Sequence, residues 1–136
     1  MDRSQDWMED AARDLEHARA SAEGGHYNWS CFAAQQGAGK AVKALCQRLG
    51  AVAWGHSVAD LLRELPGEGS CAPALVRKAL ELDKAYVGAR YADAHPRGSA
   101  SSRYTPEEAE RMLGYAEEVV RFCQDLLSGD KPPGRD

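Results

Sequence analysis

No apolar run in these 136 residues approaches the roughly 18 residues that a membrane span requires. The opening segment Met1-Asp-Arg-Ser-Gln-Asp6 is charged and has no apolar stretch, so a secretory signal is not expected. Basic charge is not in excess either. The net charge is −4 and the isoelectric point about 5.6, so bulk charge does not drive the chain onto nucleic acid or an anionic membrane. The cytoplasm is the expected compartment. Cysteine is sparse: Cys31, Cys46, Cys71 and Cys123 stand singly, with no CxxC and no histidine pair to complete a zinc site. They read as reduced packing thiols, because disulfide frameworks belong mainly to secreted chains. Neither a metal nor a cofactor is expected.

Strand-like alternation is also missing, and what remains is helical. Apolar residues make up 43% and charged residues 28%, a globular composition that can bury a core without staples. Trp7, Ala11, Leu15, Ala18 and Ala22 share one face of a helix over residues 4–22. Gly24-Gly25 ends it. A second helix is predicted over 27–49, closed by Gly50. Its small residues Ala33, Ala34, Gly37, Ala38 and Ala41 would admit another helix closely. Ser57 caps a short helix over 58–65 that Pro66-Gly67 stops. Pro73 starts a fourth helix, reaching Tyr86. Residues 88–104 break the pattern. Thr105-Pro106-Glu107-Glu108 then opens a last helix to about Leu127. The expected fold is all-α, an antiparallel four-helix bundle with an extra short helix. It forms one domain over 1–129, with a flexible tail at 130–136. The small-residue face, and the many aromatic and apolar side chains for so small a bundle, motivate a homodimer.

Charge is sorted along the chain. Residues 1–26 hold seven acids and three bases, and 27–49 hold three bases and no acid. Residues 77–103 hold six bases against three acids, and 106–130 hold seven acids and two bases. Two readings follow: helix faces neutralising one another across the bundle, or a basic surface that binds an anion or nucleotide.

Short motifs narrow the chemistry. Gly37-Ala-Gly-Lys40 is not a phosphate loop: Ala34 and Ala41 occupy positions that need Gly and Ser or Thr, and no strand precedes it. No Glu-x-x-His falls within a predicted helix, so a di-metal bundle is not expected. His56 lies just before a helix cap, suited either to a structural hydrogen bond or to the edge of a site. Arg90-Tyr-Ala-Asp-Ala-His95 places a permanent cation, a carboxylate and an imidazole in one loop. Arg can hold a phosphate with its forked donors, and His can move a proton near neutral pH. Together they could cleave an RNA phosphodiester. Arg90 and Asp93 could equally form a loop-closing ion pair.

From these elements the chain resembles the HEPN-domain family. The carriers are Trp7 with Ala11 to Leu15, then Gly25-His-Tyr27 leading into Cys31-Phe-Ala-Ala-Gln-Gln36, then Lys40-Ala-Val-Lys-Ala-Leu45. Gly55-His-Ser57 with Leu61-Leu62, Leu82-Asp83, Tyr86, Arg90-Tyr91 with Asp93, and Tyr104 complete them. The stand-alone prokaryotic members are most similar, and the C-terminal domain of sacsin more distantly so. The resemblance implies an antiparallel bundle that often dimerises. It also implies a setting beside a minimal nucleotidyltransferase, in a toxin–antitoxin-like pair. A nuclease branch of the family carries Arg, four to six residues, then His; Arg90 and His95 match that spacing. Tyr91 stands where that branch usually has a polar residue, Pro96 follows His95, and Ala92 replaces the proline of the Arg-Tyr-Pro-Asp typical of stand-alone members.

The expectation is a binding module rather than an enzyme. Lys40, Lys43, Arg90, Tyr91 and His56 are the candidate residues for nucleotide or RNA phosphate. One alternative is a metal-independent endoribonuclease with Arg90 and His95 as its catalytic pair. The other is a non-catalytic bundle that only docks a partner protein.

Overall fold

Helix α1 (Ser4–Glu23) and helix α2 (Tyr27–Leu49) form a hairpin in a computed structural model of the chain that describes residues 1–129. The turn between them uses Gly25 at φ 83°, a left-handed conformation that glycine adopts without penalty. Alanine and glycine set the spacing of the pair. At Gly37 an added Cβ would stand 3.1 Å from the Ala11 carbonyl oxygen and 3.2 Å from both Asp14 Cβ and Leu15 Cδ2. A Cβ there would press on the α1 backbone, which would have to give by a few tenths of an ångström. The small-residue face of α2 therefore receives a helix, as its composition suggests, but that helix is α1 of the same chain. It leaves no room on that face for a second copy.

The remaining elements are α3 (Val58–Arg63), α4 (Pro73–Asp83), α5 (Ala85–Gly88) and α6 (Pro106–Leu127). Every regular element among the described residues is helical. Arg48, in the last turn of α2, fixes the directions. Its Nε donates to Asp2 Oδ2 at 3.0 Å, its Nη2 to Ser4 Oγ at 3.2 Å and its Nη1 to the Leu127 carbonyl at 3.1 Å. The start of α1 and the ends of α2 and α6 thus share one pole. At the other pole Asn28 Nδ2 donates to the Ala89 carbonyl at 2.9 Å, tying the start of α2 to the end of α5. Helices α1 and α4 therefore run one way and α2 and α6 the other, an antiparallel bundle.

The caps fall where the sequence places them. Ser57 Oγ accepts from the Asp60 amide at 3.1 Å, and Thr105 Oγ1 accepts from the Glu108 amide at 3.0 Å. Two boundaries differ from expectation. The short helix ends at Arg63, two residues before Leu65. The helix begun by Pro73 breaks at Lys84, whose amide bonds the Glu81 carbonyl at 3.3 Å, an i→i−3 contact. The irregular stretch after α5 contains two single 3-10 turns, Ala92–Ala94 and Ser101–Arg103. The tail expected at 130–136 lies outside the described residues.

The core is filled by Val42, Leu45, Val58, Leu61, Leu62, Leu82 and Val119, all nearly inaccessible. Each contributes about 1.5–3 kcal/mol relative to exposure. Cys31, Cys46 and Cys123 are buried among them, and no disulfide forms. Burial pushes the Cys31 thiol up to about 12 and raises Cys46 and Cys123 as well. These groups are protonated, inert packing atoms at neutral pH. No helix among the described residues is long and apolar enough to cross a membrane.

The sorted charges meet across the bundle. Lys40 reaches Asp14 at 2.9 Å, Arg48 reaches Asp2 at 3.0 Å, Arg19 reaches Glu117 at 2.8 Å and Lys78 reaches Glu118 at 2.8 Å. Partly exposed pairs of this kind contribute about 0–1 kcal/mol each. They align helices more than they stabilise them.

Gly37→Leu is expected to force α1 away from α2 and to cost about 3 kcal/mol or more. Urea unfolding followed by circular dichroism measures it. An unchanged midpoint would contradict the close approach at Gly37.

Candidate functional site

One carboxylate organises the end of the bundle that carries the loop before α3. Asp83 is the last residue of α4, a position where the helix dipole disfavours an acid. Its oxygens are taken by another helix. Oδ1 accepts from the Val58 amide at 2.8 Å and from Gln35 Nε2 at 3.2 Å. Oδ2 accepts from Ser57 Oγ at 2.8 Å and from the Ala59 amide at 3.1 Å. Asp83 thus caps α3 from outside, alongside Ser57. Gln35 is buried, and its Nε2 also donates to the His56 carbonyl at 2.7 Å. That bond holds the backbone of His56, whose ring stacks on Tyr86 with centroids 4.7 Å apart and planes 18° apart.

Tyr86 leads to Arg90. Arg90 Nε donates to the Tyr86 carbonyl at 2.7 Å. The guanidinium carbon lies 4.6 Å from the Phe32 ring centre, 4.7 Å from that of Tyr86 and 5.0 Å from that of Tyr91. Each contact is a cation–π interaction, and together they fix the plane of the fork. No carboxylate pairs with Arg90 among the described residues, and the loop-closing pair with Asp93 does not form. Trp29 stands edge-on to Phe32 at 5.9 Å. Trp29 and Tyr91 are about half exposed, at 47% and 51%. The result is a half-buried aromatic platform, open at Trp29 and Tyr91, that carries one uncompensated cation.

The lysines lie on the other side of His56. A cleft of about 190 Å³ is bounded by Trp7, Gln36, Lys40, Lys43 and His56. Lys43 Nζ sits 5.7 Å from the centre of the Trp7 ring and has no carboxylate partner among the described residues. Lys40 differs. Its Nζ is 2.9 Å from Asp14 Oδ2, a charge contact without aligned hydrogen-bond geometry. Its charge is largely compensated. Of the proposed phosphate-binding residues, His56 touches both regions, Arg90 and Tyr91 belong to the platform, and Lys40 and Lys43 belong to the cleft.

His95 has a different job. Its Nε2 donates to the Gly88 carbonyl at 2.6 Å, and its ring meets Tyr104 edge-on at 6.1 Å. It anchors the irregular stretch to α5. Arg90 and His95 are close in sequence, yet their side chains engage separate partners. No group of three His, Cys, Asp or Glu among the described residues could hold a metal.

Sequence reasoning missed the platform formed by Phe32 and Tyr86 and the role of Asp83. No local signal marked Asp83, because the helix reads as continuing to Tyr86. None existed for Phe32, which reads as ordinary core.

The HEPN domain model matches residues 4–126, and the chain belongs to that family. It is similar to the crystal structure of TT1696 from Thermus thermophilus, with 46% identity and a TM-score of 0.89 over 92% of this chain and 98% of that one. A HEPN domain protein from Thermotoga maritima, tm0613, shares 52% identity with a TM-score of 0.73, over 90% of this chain and 97% of that one. The archaeal HEPN homologue ST0689 shares 35% identity with a TM-score of 0.78, over 93% and 99%. No curated protein matches the chain.

Asp83→Ala removes the outside cap of α3 and strands the amides of Val58 and Ala59. A loss of about 2–4 kcal/mol is expected, measured by urea unfolding. Stability within a few tenths of wild type would contradict the capping role.

Proposed function

We propose that the chain is a phosphate-binding HEPN module that takes nucleotide or RNA phosphate on the Arg90 platform. The observation that carries this reading is the state of Arg90. Its Nε is fixed on the Tyr86 carbonyl, its face lies on three aromatic rings, and no carboxylate among the described residues neutralises it. A guanidinium fork held in one plane with its terminal nitrogens uncompensated is a ready receptor for a phosphate. His56 and Tyr91 border it. Lys43 adds positive potential from the neighbouring cleft.

Binding is favoured over cleavage. A cleaving histidine must reach the phosphate that Arg90 holds, and His95 Nε2 is occupied by the Gly88 carbonyl. In this reading the protein works as a single domain over residues 1–129, as a homodimer in the cytoplasm, beside a minimal nucleotidyltransferase in a toxin–antitoxin-like pair. The family resemblance supports the partner. The exposed Trp29 and Val87 support an apolar contact between copies.

Calorimetric titration with AMP and with a short RNA tests the reading. Arg90→Ala should weaken binding by about 1.5–3 kcal/mol, and Arg90→Lys should not restore it, because lysine has no fork. His95→Ala should leave affinity within a factor of a few, and RNA should remain intact in EDTA with wild type. Unchanged affinity in Arg90→Ala would defeat the assignment and leave a protein-docking bundle. Cleavage in EDTA that disappears in His95→Ala would establish the nuclease instead.

A further inference from the structure

We propose that the groove between the end of α3 and the start of α4 binds a singly charged aliphatic acid. Arg77 and Arg63 hold its carboxylate, and its chain lies along Leu62 and Val76.

Arg77 is the leading observation. It sits in the second turn of α4, toward the positive end of that helix, where a cation gains nothing from the dipole. It is exposed, and no carboxylate pairs with it among the described residues. The next residue shows the contrast: Lys78 reaches Glu118 on α6 at 2.8 Å. Neither helix polarity nor ion pairing accounts for the cation at position 77.

What Arg77 does border is a groove of about 420 Å³, within the roughly 300–1,000 Å³ of small-molecule sites. Arg63, the last residue of α3, borders it as well. Cations from two helices thus share one opening, and no acid lines it among the described residues. The floor is apolar. Leu62 is buried in the core, and Val76 and Cys71 pack against that core as part of the groove lining. Pro73 extends the apolar surface. An apolar floor under a cationic rim fits a molecule with an aliphatic body and an anionic head.

Two features narrow the ligand further. No aromatic ring lines the groove, so it offers no stacking surface for a nucleobase. It differs in this from the Arg90 platform, with which it shares no residue. The rim also carries less than two full charges. Arg63 Nη1 lies 3.4 Å from Asp60 Oδ1, which offsets part of its charge, while Arg77 is uncompensated. That balance suits a carboxylate, whose two oxygens match a guanidinium fork, over a dianionic phosphate.

Cys71 gives the groove its own reporter. It is half-buried in the lining, whereas Cys31, Cys46 and Cys123 are buried. Calorimetry on the intact protein compares hexanoate, acetate, 1-hexanol and hexyl phosphate. Hexanoate should bind at least tenfold more tightly than acetate, which lacks the chain, and than 1-hexanol, which lacks the charge. It should also slow alkylation of Cys71 by iodoacetamide, read by mass spectrometry. Arg77→Gln should weaken hexanoate by tenfold or more and remove the protection of Cys71 at the same concentration. Hexanoate that does not bind, that binds without protecting Cys71, or that binds Arg77→Gln as tightly as wild type would overturn the proposal. Tighter binding of hexyl phosphate than of hexanoate would overturn the choice of a carboxylate. None of these results depends on Arg90.

Discussion

The carboxylate of Asp83 is the constraint on which the end of the bundle that carries the candidate site depends. It gathers a side chain from α2, a hydroxyl from the loop before α3 and two amides from α3 itself. Helix α3 spans only Val58–Arg63, too short to hold itself together in water. Its persistence depends on burial of Val58, Leu61 and Leu62 and on the cap from Asp83. The same cap sets the loop that contains His56, and His56 packs on Tyr86. A packing constraint at one helix end is thereby converted into the position of an aromatic platform.

Part of the cationic charge is neutralised across the bundle. Lys40, Arg48 and Lys78 each meet a carboxylate from a neighbouring element. Arg77, Arg97, Arg103, Arg111 and Arg121 have no carboxylate partner among the described residues, and neither do Arg90 and Lys43. Arg90 and Lys43 are the informative ones, because both lie on aromatic rings rather than beside carboxylates. A cation on a ring keeps most of its field, since the ring carries no net charge. It can still attract an anion, which a cation in a close ion pair does poorly.

Helix positions were legible because periodicity reports the face a helix buries. The second helix runs Tyr27–Leu49 as read, and the caps at Ser57 and Thr105 act as their residue types suggest. The break at Lys84 was not legible. Its neighbours favour helix, and only the anchoring of Asp83 to another element distinguishes the place. The use of the small-residue face was half legible: composition says that a helix approaches there, not which one. At the site, Arg90, Tyr91 and His56 could be picked out as loop residues with suitable chemistry. Their ring partners could not, because a tilted ring contact between α2 and α5 joins Phe32 to Tyr86 across a separation that no local pattern spans. Lys40 looked equivalent to Lys43 in sequence and differs only because Asp14 lies opposite it.

The central claim is that Arg90 is a fixed, uncompensated guanidinium that meets phosphate with its terminal nitrogens. Nitrogen-15 resonance of its side chain during titration with AMP reports on this directly. The account predicts that the Nη signals shift and sharpen as ligand binds, while the Nε–H signal, already bonded to the Tyr86 carbonyl, moves little. Arg90 signals unmoved through saturation, with shifts confined to other residues, would contradict it.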